Sequence, residues 1–180
     1  MNEPLPVLRV CSCLTSRPAA VEEVAIRLKE AFGDIILTSE PFPFDCTTYY
    51  QPEMGEGIRR YWFCFADLFG AEEIVGFRHK TGEIEEFFMS NGQRTVNLDP
   101  GYLDHGKLVL ASLKGAADKI YMGGGVWAHT CLRFRFSEFV APDHSFADFK
   151  EGIFNQFFLD LRGLYKKMLK SRVKEVDLGR

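Results

Sequence analysis

The chain has 180 residues, a formal net charge of −3 and a pI near 5.8, so it lacks the basic excess on which non-specific nucleic-acid binding depends. Hydrophobic residues make up 46%, with 17 Phe and 2 Trp, enough for one sizeable core in a single domain spanning residues 1–180. No window approaches the roughly 20 apolar residues of a membrane helix, Met1 to Pro6 lacks a signal-peptide pattern, and five scattered cysteines suit free thiols in a reducing cytoplasm.

Val7 to Leu14 alternates and is rich in β-branched residues, which predicts a strand. Ser16 and Pro18 then open a predicted helix. Ser16 is its expected cap, and Val21, Val24, Ala25, Leu28, Ala31 and Phe32 give it one apolar face. Gly33 closes it, and Ile35 to Thr38 predicts a second strand, which completes a β-α-β opening. Ser39 to Gly55 combines three prolines with four aromatics. It predicts an ordered loop pinned by Phe42, Phe44 and one of Tyr49 and Tyr50.

Glu56 to Phe69 carries Ile58, Tyr61, Trp62, Phe65, Leu68 and Phe69 at helical spacing and predicts a helix. Gly76 and Gly82 divide Ala71 to Ser90 into two short helices, with a strand over Val75 to Lys80 as the alternative. Asn91-Gly92 is a turn signal. Gln93 to Leu98 predicts a third strand, which Pro100-Gly101 ends. A helix is then expected from a cap at Asp104, with Leu108, Val109 and Leu113 inward and Gly115 as its stop. Lys119 to Met122 and Val126 to Phe136 predict a hairpin across Gly123-Gly124-Gly125. A final helix over Gly152 to Ser171 presents a broad apolar stripe. The pattern predicts an α+β fold, with helices packed on a central mixed or antiparallel sheet and a partly ferredoxin-like topology.

No complete catalytic motif is present. The chain has no G-x-x-x-x-G-K-[ST] phosphate loop, no G-x-G-x-x-G after a strand, no G-x-S-x-G and no H-E-x-x-H. The polar content concentrates in two stretches. In Val96-Asn97-Leu98-Asp99, the amide and the carboxylate sit two apart on a strand and share a face. Such a pair could orient ligand hydroxyls or hold Mg²⁺ through water; the plain alternative is that Asp99 bonds the Pro-Gly turn. Tyr102 and Lys107 follow closely, and Lys107 in a first helical turn would serve an anion better than it serves the helix. In the proline-rich loop, Asp45, Tyr49, Tyr50 and Glu53 could stack on and orient a flat ligand.

His129 is the natural base near neutral pH, set against the commoner role of a buried structural histidine. Cys11, Cys13, Cys46 and Cys131 lack the C-x₂₋₄-C spacing of a zinc knuckle, so no metal site and no zinc are expected.

On Pro41–Gly55 (PFPFDCTTYYQPEMG), Val96–Leu103 (VNLDPGYL), Lys107–Ser112 (KLVLAS) and Lys119–His129 (KIYMGGGVWAH), the chain resembles a family of small bacterial proteins of uncharacterised function. Some members carry a GTP-binding label. The resemblance implies GTP binding only through that label, since neither a phosphate loop nor an N-K-x-D guanine motif is present. It also implies an acid where Thr48 stands, an asparagine where Gly82 stands and an acid near His129.

The leading functional expectation is a domain that binds a small anionic or nucleotide-like ligand between the 45–53 loop and the 97–107 segment. Asn97 and Asp99 would orient hydroxyls, Tyr49 or Tyr50 would stack, and Lys107 would meet a phosphate. The first alternative is a metal- or histidine-assisted hydrolase using Asp99, Asp45 and His129, which must then converge. The second is a non-enzymatic interaction module with an exposed apolar patch.

Overall fold

The computed structural model describes residues 4–178, with side chains described through Arg172. Met1 to Glu3, part of the N-terminal segment read above, lie outside the described residues. In chain order the elements begin with β1 (Val7–Thr15), α1 (Ala20–Phe32), β2 (Ile35–Thr38), β3 (Phe42–Pro43), α2 (Gln51–Met54) and β4 (Arg59–Phe69). A 3-10 turn at Ala71–Glu73 leads into α3 (Ile74–Phe87), then β5 (Met89–Ser90), β6 (Gln93–Arg94), β7 (Val96–Leu103) and β8 (Lys107–Ser112). The chain continues through β9 (Ile120–Gly123), β10 (Val126–Arg135), β11 (Glu138–Val140), α4 (Ala147–Lys150) and α5 (Asn155–Leu178).

The main sheet runs β11-β10-β8-β7-β1-β4-β2, with β3 on β4 and β9 on β10, and the paired strands are antiparallel. β1-α1-β2 and β4-α3-β7 are two split β-α-β units. β4 lies between β1 and β2, so the opening unit does not pair its own strands. The spatial order β7-β1-β4-β2 is that of a ferredoxin-like core, and β8, β10 and β11 extend it beyond β7.

Side-chain alternation divides the core into two layers. Cys11, Cys13, Phe63, Phe65, Val96 and Leu98 face Val24 and Leu28 of α1 and Phe77 and Ile84 of α3. The opposite face carries Leu8, Val10, Trp62, Cys64, Leu110 and Leu132 under Phe154, Phe158, Leu161 and Tyr165 of α5.

Four expectations change. Glu56 to Phe69 is not a helix: Tyr61 to Phe65 is an unbroken apolar run buried on both faces as a central strand, and its helical spacing is a coincidence of composition. The second change is at Pro100-Gly101, which does not end a strand. β7 runs through it and returns as β8 rather than as a helix. Asp104 uses its capping ability in a turn, where Oδ1 accepts from the amides of Gly106 (2.7 Å) and Lys107 (2.8 Å). Third, α3 is one continuous helix that absorbs Gly76 and Gly82 through tertiary packing. Fourth, Ser16 does not cap α1; its hydroxyl donates to the carbonyl of Met54. A bulge between Thr130 and Leu132 also places Cys131 and Leu132 in the same core, where strict alternation would separate them.

The departure that matters most for the site is between β7 and β8. They pair only over Gly101–Leu103 and Leu108–Leu110, then separate. The amide of Leu98 points into the resulting gap and is satisfied by Oε1 of Glu85, reaching in from α3 at 2.7 Å. By the two-residue period of the strand, Pro100 faces the same gap, where the N–H it lacks would have no strand partner. Gly101 then allows β8 to join: a Cβ there would lie 2.0 Å from the carbonyl oxygen of Val109.

Candidate functional site

A cavity of about 530 Å³ opens where β7 and β8 part. Asn97 and Asp99 of β7, Leu110 to Ser112 of β8, Arg60 of β4 and His129 of β10 line it. The loop from Phe44 to Tyr50, the segment from Leu113 to Lys119 and the start of α4 close its sides, while Arg78 reaches it from α3. The volume suits a ligand of ordinary metabolite size.

The floor is a chain of alternating charges. Glu53 accepts Nε and Nη2 of Arg94, each at 2.8 Å, and Arg94 Nη1 donates to Oδ1 of Asn97 at 2.9 Å. Asn97 Nδ2 donates to Oδ1 of Asp99 at 3.1 Å, which fixes the orientation of the amide. Arg60 Nη1 lies 3.4 Å from Oδ2 of Asp99, and its Nε donates to Oδ2 of Asp148 at 2.8 Å. Arg60 also donates to the hydroxyl of Ser12. The carboxyl of Glu53 is held below the ordinary carboxylate range by its hydrogen bonds from Arg94. Asp99 accepts from only two of these groups among the described residues, about half of a carboxylate's four acceptor positions.

The cations lining the cavity fall into two classes. Arg60, Arg78 and Arg94 have carboxylate partners in Asp148, Glu85 and Glu53. Lys114 and Lys119 have no carboxylate within ion-pair distance among the described residues. Lys114 donates to the phenol of Tyr49 (2.7 Å), and Lys119 donates to the carbonyl of Lys114 (3.0 Å). The contact with Lys114 draws the Tyr49 phenol below its usual range. Burial lowers the pKa of Lys119; Asp99 opposes that shift and Lys114 adds to it.

His129 is 7% exposed and its pKa is lowered to about 4, by burial first and by Lys119 second. Its Nε2 lies 3.2 Å from Sγ of Cys131, whose thiol burial keeps protonated. The ring's Nδ1 is buried without a hydrogen-bond partner among the described residues. In the unfolded chain the ring titrates near 6.5, so between about pH 4 and 6.5 the unfolded state binds the extra proton. The stabilising contribution of the neutral ring is complete above that window and is lost as pH falls through it. The shift corresponds to about 3 kcal/mol. Urea unfolding at pH 7 and pH 4.5 should show a smaller loss at low pH for His129→Gln than for the unaltered chain.

Of the residues singled out in the sequence, Asn97, Asp99, Tyr49, Tyr50 and His129 line the same cavity. Glu53 stands behind it and anchors Arg94. Asp45 is exposed and outside the lining. Tyr102 packs against the core under α1 and α3 and the cluster around Ile74, where burial raises its pKa, and Lys107 pairs with Asp104; neither lines the cavity. Thr48 lies between the lining residues Thr47 and Tyr49, and a Cβ on Gly82 would lie 3.8 Å from Nη1 of Arg78. Arg60, Arg78, Arg94, Lys114, Lys119 and Asp148 have no motif to mark them. Only Arg60 has a local signal: it shares the buried strand face of Trp62, which becomes visible once the segment is read as a strand.

Fold and cavity together define an α+β domain whose ferredoxin-like core is extended by a second wing, with a charged cavity where the two meet. The profile of the family described as domain of unknown function (DUF4416) matches residues 5–165, and the chain belongs to that family. No curated protein and no solved structure matches the chain.

Proposed function

We propose that the cavity binds a small anionic ligand of metabolite or nucleotide size. The observation that carries this reading is the pair Lys114 and Lys119, two cations without carboxylate partners among the described residues, in a recess whose arginines are already matched. Phe44, Tyr50 and Phe146 supply aromatic faces for an apolar or flat part of the ligand. Five free cysteines, four of them buried, suit a reducing, cytoplasmic compartment.

A thermal-shift titration with inorganic pyrophosphate tests the reading. Ligand at about 100 times its Kd should stabilise the native state by about 2.7 kcal/mol. A Lys114→Met/Lys119→Met variant should bind at least about tenfold more weakly, since a charge-assisted contact is worth more than the 1.4 kcal/mol that a factor of ten represents. Equal binding by both proteins would place the anion elsewhere and sink the reading.

One observation favours the hydrolase alternative: Asp99 and a neutral His129 line the same cavity, and the carboxylate opposes the lowering of the imidazole's pKa. The interaction-module alternative draws on the exposed Ile120, Tyr121 and Met122 of β9.

A further inference from the structure

We infer that the ligand is a phosphorylated polyol, recognised by its vicinal diol at Asp99 and by its phosphate at Lys114 and Lys119. The inference rests on the anion-binding reading above and narrows it.

The cavity holds two opposed kinds of recognition. Lys114 and Lys119 attract negative charge, and two ammonium groups match a phosphate dianion. Asp99, on the same lining, repels one. A purely anionic ligand would leave that carboxylate facing like charge, so the ligand must also bring hydrogen-bond donors.

The geometry around Asp99 specifies how many. Asn97 occupies one position on Oδ1, and Arg60 occupies one on Oδ2. Each oxygen therefore retains one acceptor position. The side chain is 24% exposed, so the free positions are open to a ligand. Two adjacent acceptors on one rigid carboxylate suit two adjacent hydroxyls. An ammonium group is the poorer fit, because Arg60 already pairs with Asp99 and the nearby lysines repel a cation. Asn97 is a positioning residue here: both ends of its amide are engaged, one by Arg94 and one by Asp99, so it holds the carboxylate and leaves the contact to Asp99. Phe44 and Phe146 offer surfaces for the C–H face of a sugar ring.

Calorimetric titration of the full chain with three probes tests the inference: ribose 5-phosphate, 2-deoxyribose 5-phosphate, which lacks the 2-hydroxyl, and inorganic phosphate. Ribose 5-phosphate should bind at least about tenfold more tightly than its 2-deoxy analogue, because a buried acceptor left unmet costs more than one factor of ten. In Asp99→Asn the preference should shrink to about threefold or less, while inorganic phosphate binds as well or better because the like charge is gone. Equal affinity of the unaltered protein for the two sugars overturns the diol inference, and that comparison needs no variant. The same preference retained in Asp99→Asn also overturns it. In both outcomes, binding of inorganic phosphate that is lost in Lys114→Met/Lys119→Met keeps the anion-binding reading standing. Failure of all three probes to bind removes that reading and this inference together.

Discussion

Arg60→Met should cost about 3–5 kcal/mol of folding stability, the range for breaking a buried ion pair from one side. Arg60 is 2% exposed and Asp148 is 1% exposed. Methionine fills much of the same volume, so lost packing contributes little. The loss comes from stranding the Asp148 carboxylate, with Ser12 and Asp99 also deprived of a donor. A double-mutant cycle separates this from a general weakening. Asp148→Asn alone should also destabilise, and the double variant should be more stable than the sum of the single losses predicts, by about 1–3 kcal/mol of coupling. Additive losses in urea unfolding would show that the two side chains act independently. Arg60→Lys should fall between, since an ammonium keeps the charge but cannot reach Asp148 and Asp99 through one planar fork.

Gly101→Ala should destabilise by about 3 kcal/mol or more, at or above the usual range for overpacking. The added methyl would lie 2.0 Å from a backbone carbonyl and 2.7 Å from Cδ2 of Leu110. A side chain could turn aside, but the carbonyl belongs to β8, so the strand itself must move. Only three residue pairs join β7 to β8, and Gly101 belongs to one of them, so the shift disrupts most of the ladder that holds the two strands together. At about 2–4 °C per kcal/mol for a chain of this size, the melting temperature should fall by roughly 6–12 °C. An unchanged melting temperature would mean that the strands approach less closely than described here.

The fold class was legible because it depends on coarse signals. β1, α1 and the β9–β10 hairpin follow from alternation, helical spacing and three glycines. The reading failed where local pattern and tertiary position disagree. YWFCF at 61–65 is buried on both faces and so loses the alternation that marks a strand. Pro100 lies inside a strand because the neighbour it would fail to bond is absent there, which no local rule can anticipate. The site was half legible for the same reason. Asn97 and Asp99 share a strand face, and that relation survives in the sequence. Arg60, Arg78, Arg94 and Lys119 come from four separate elements or loops, and they meet only through the topology.

The short β7–β8 ladder makes the sheet a creased plate rather than a continuous one. The ferredoxin-like panel lies on one side of the crease, and the panel of β8, β10 and β11 lies on the other. Helix α3 spans both: Ile74 packs on Val109, Ala111, Val126 and Ala128, while Phe77 and Ile84 pack on the ferredoxin-like panel. It braces the crease, and its Arg78 and Glu85 reach into it. One helix therefore sets both the width of the crease and the charges within it. Any ligand touching Asp99 on one panel and Lys114 beyond the other would act as a clasp, and the cost of bending the sheet would enter its affinity.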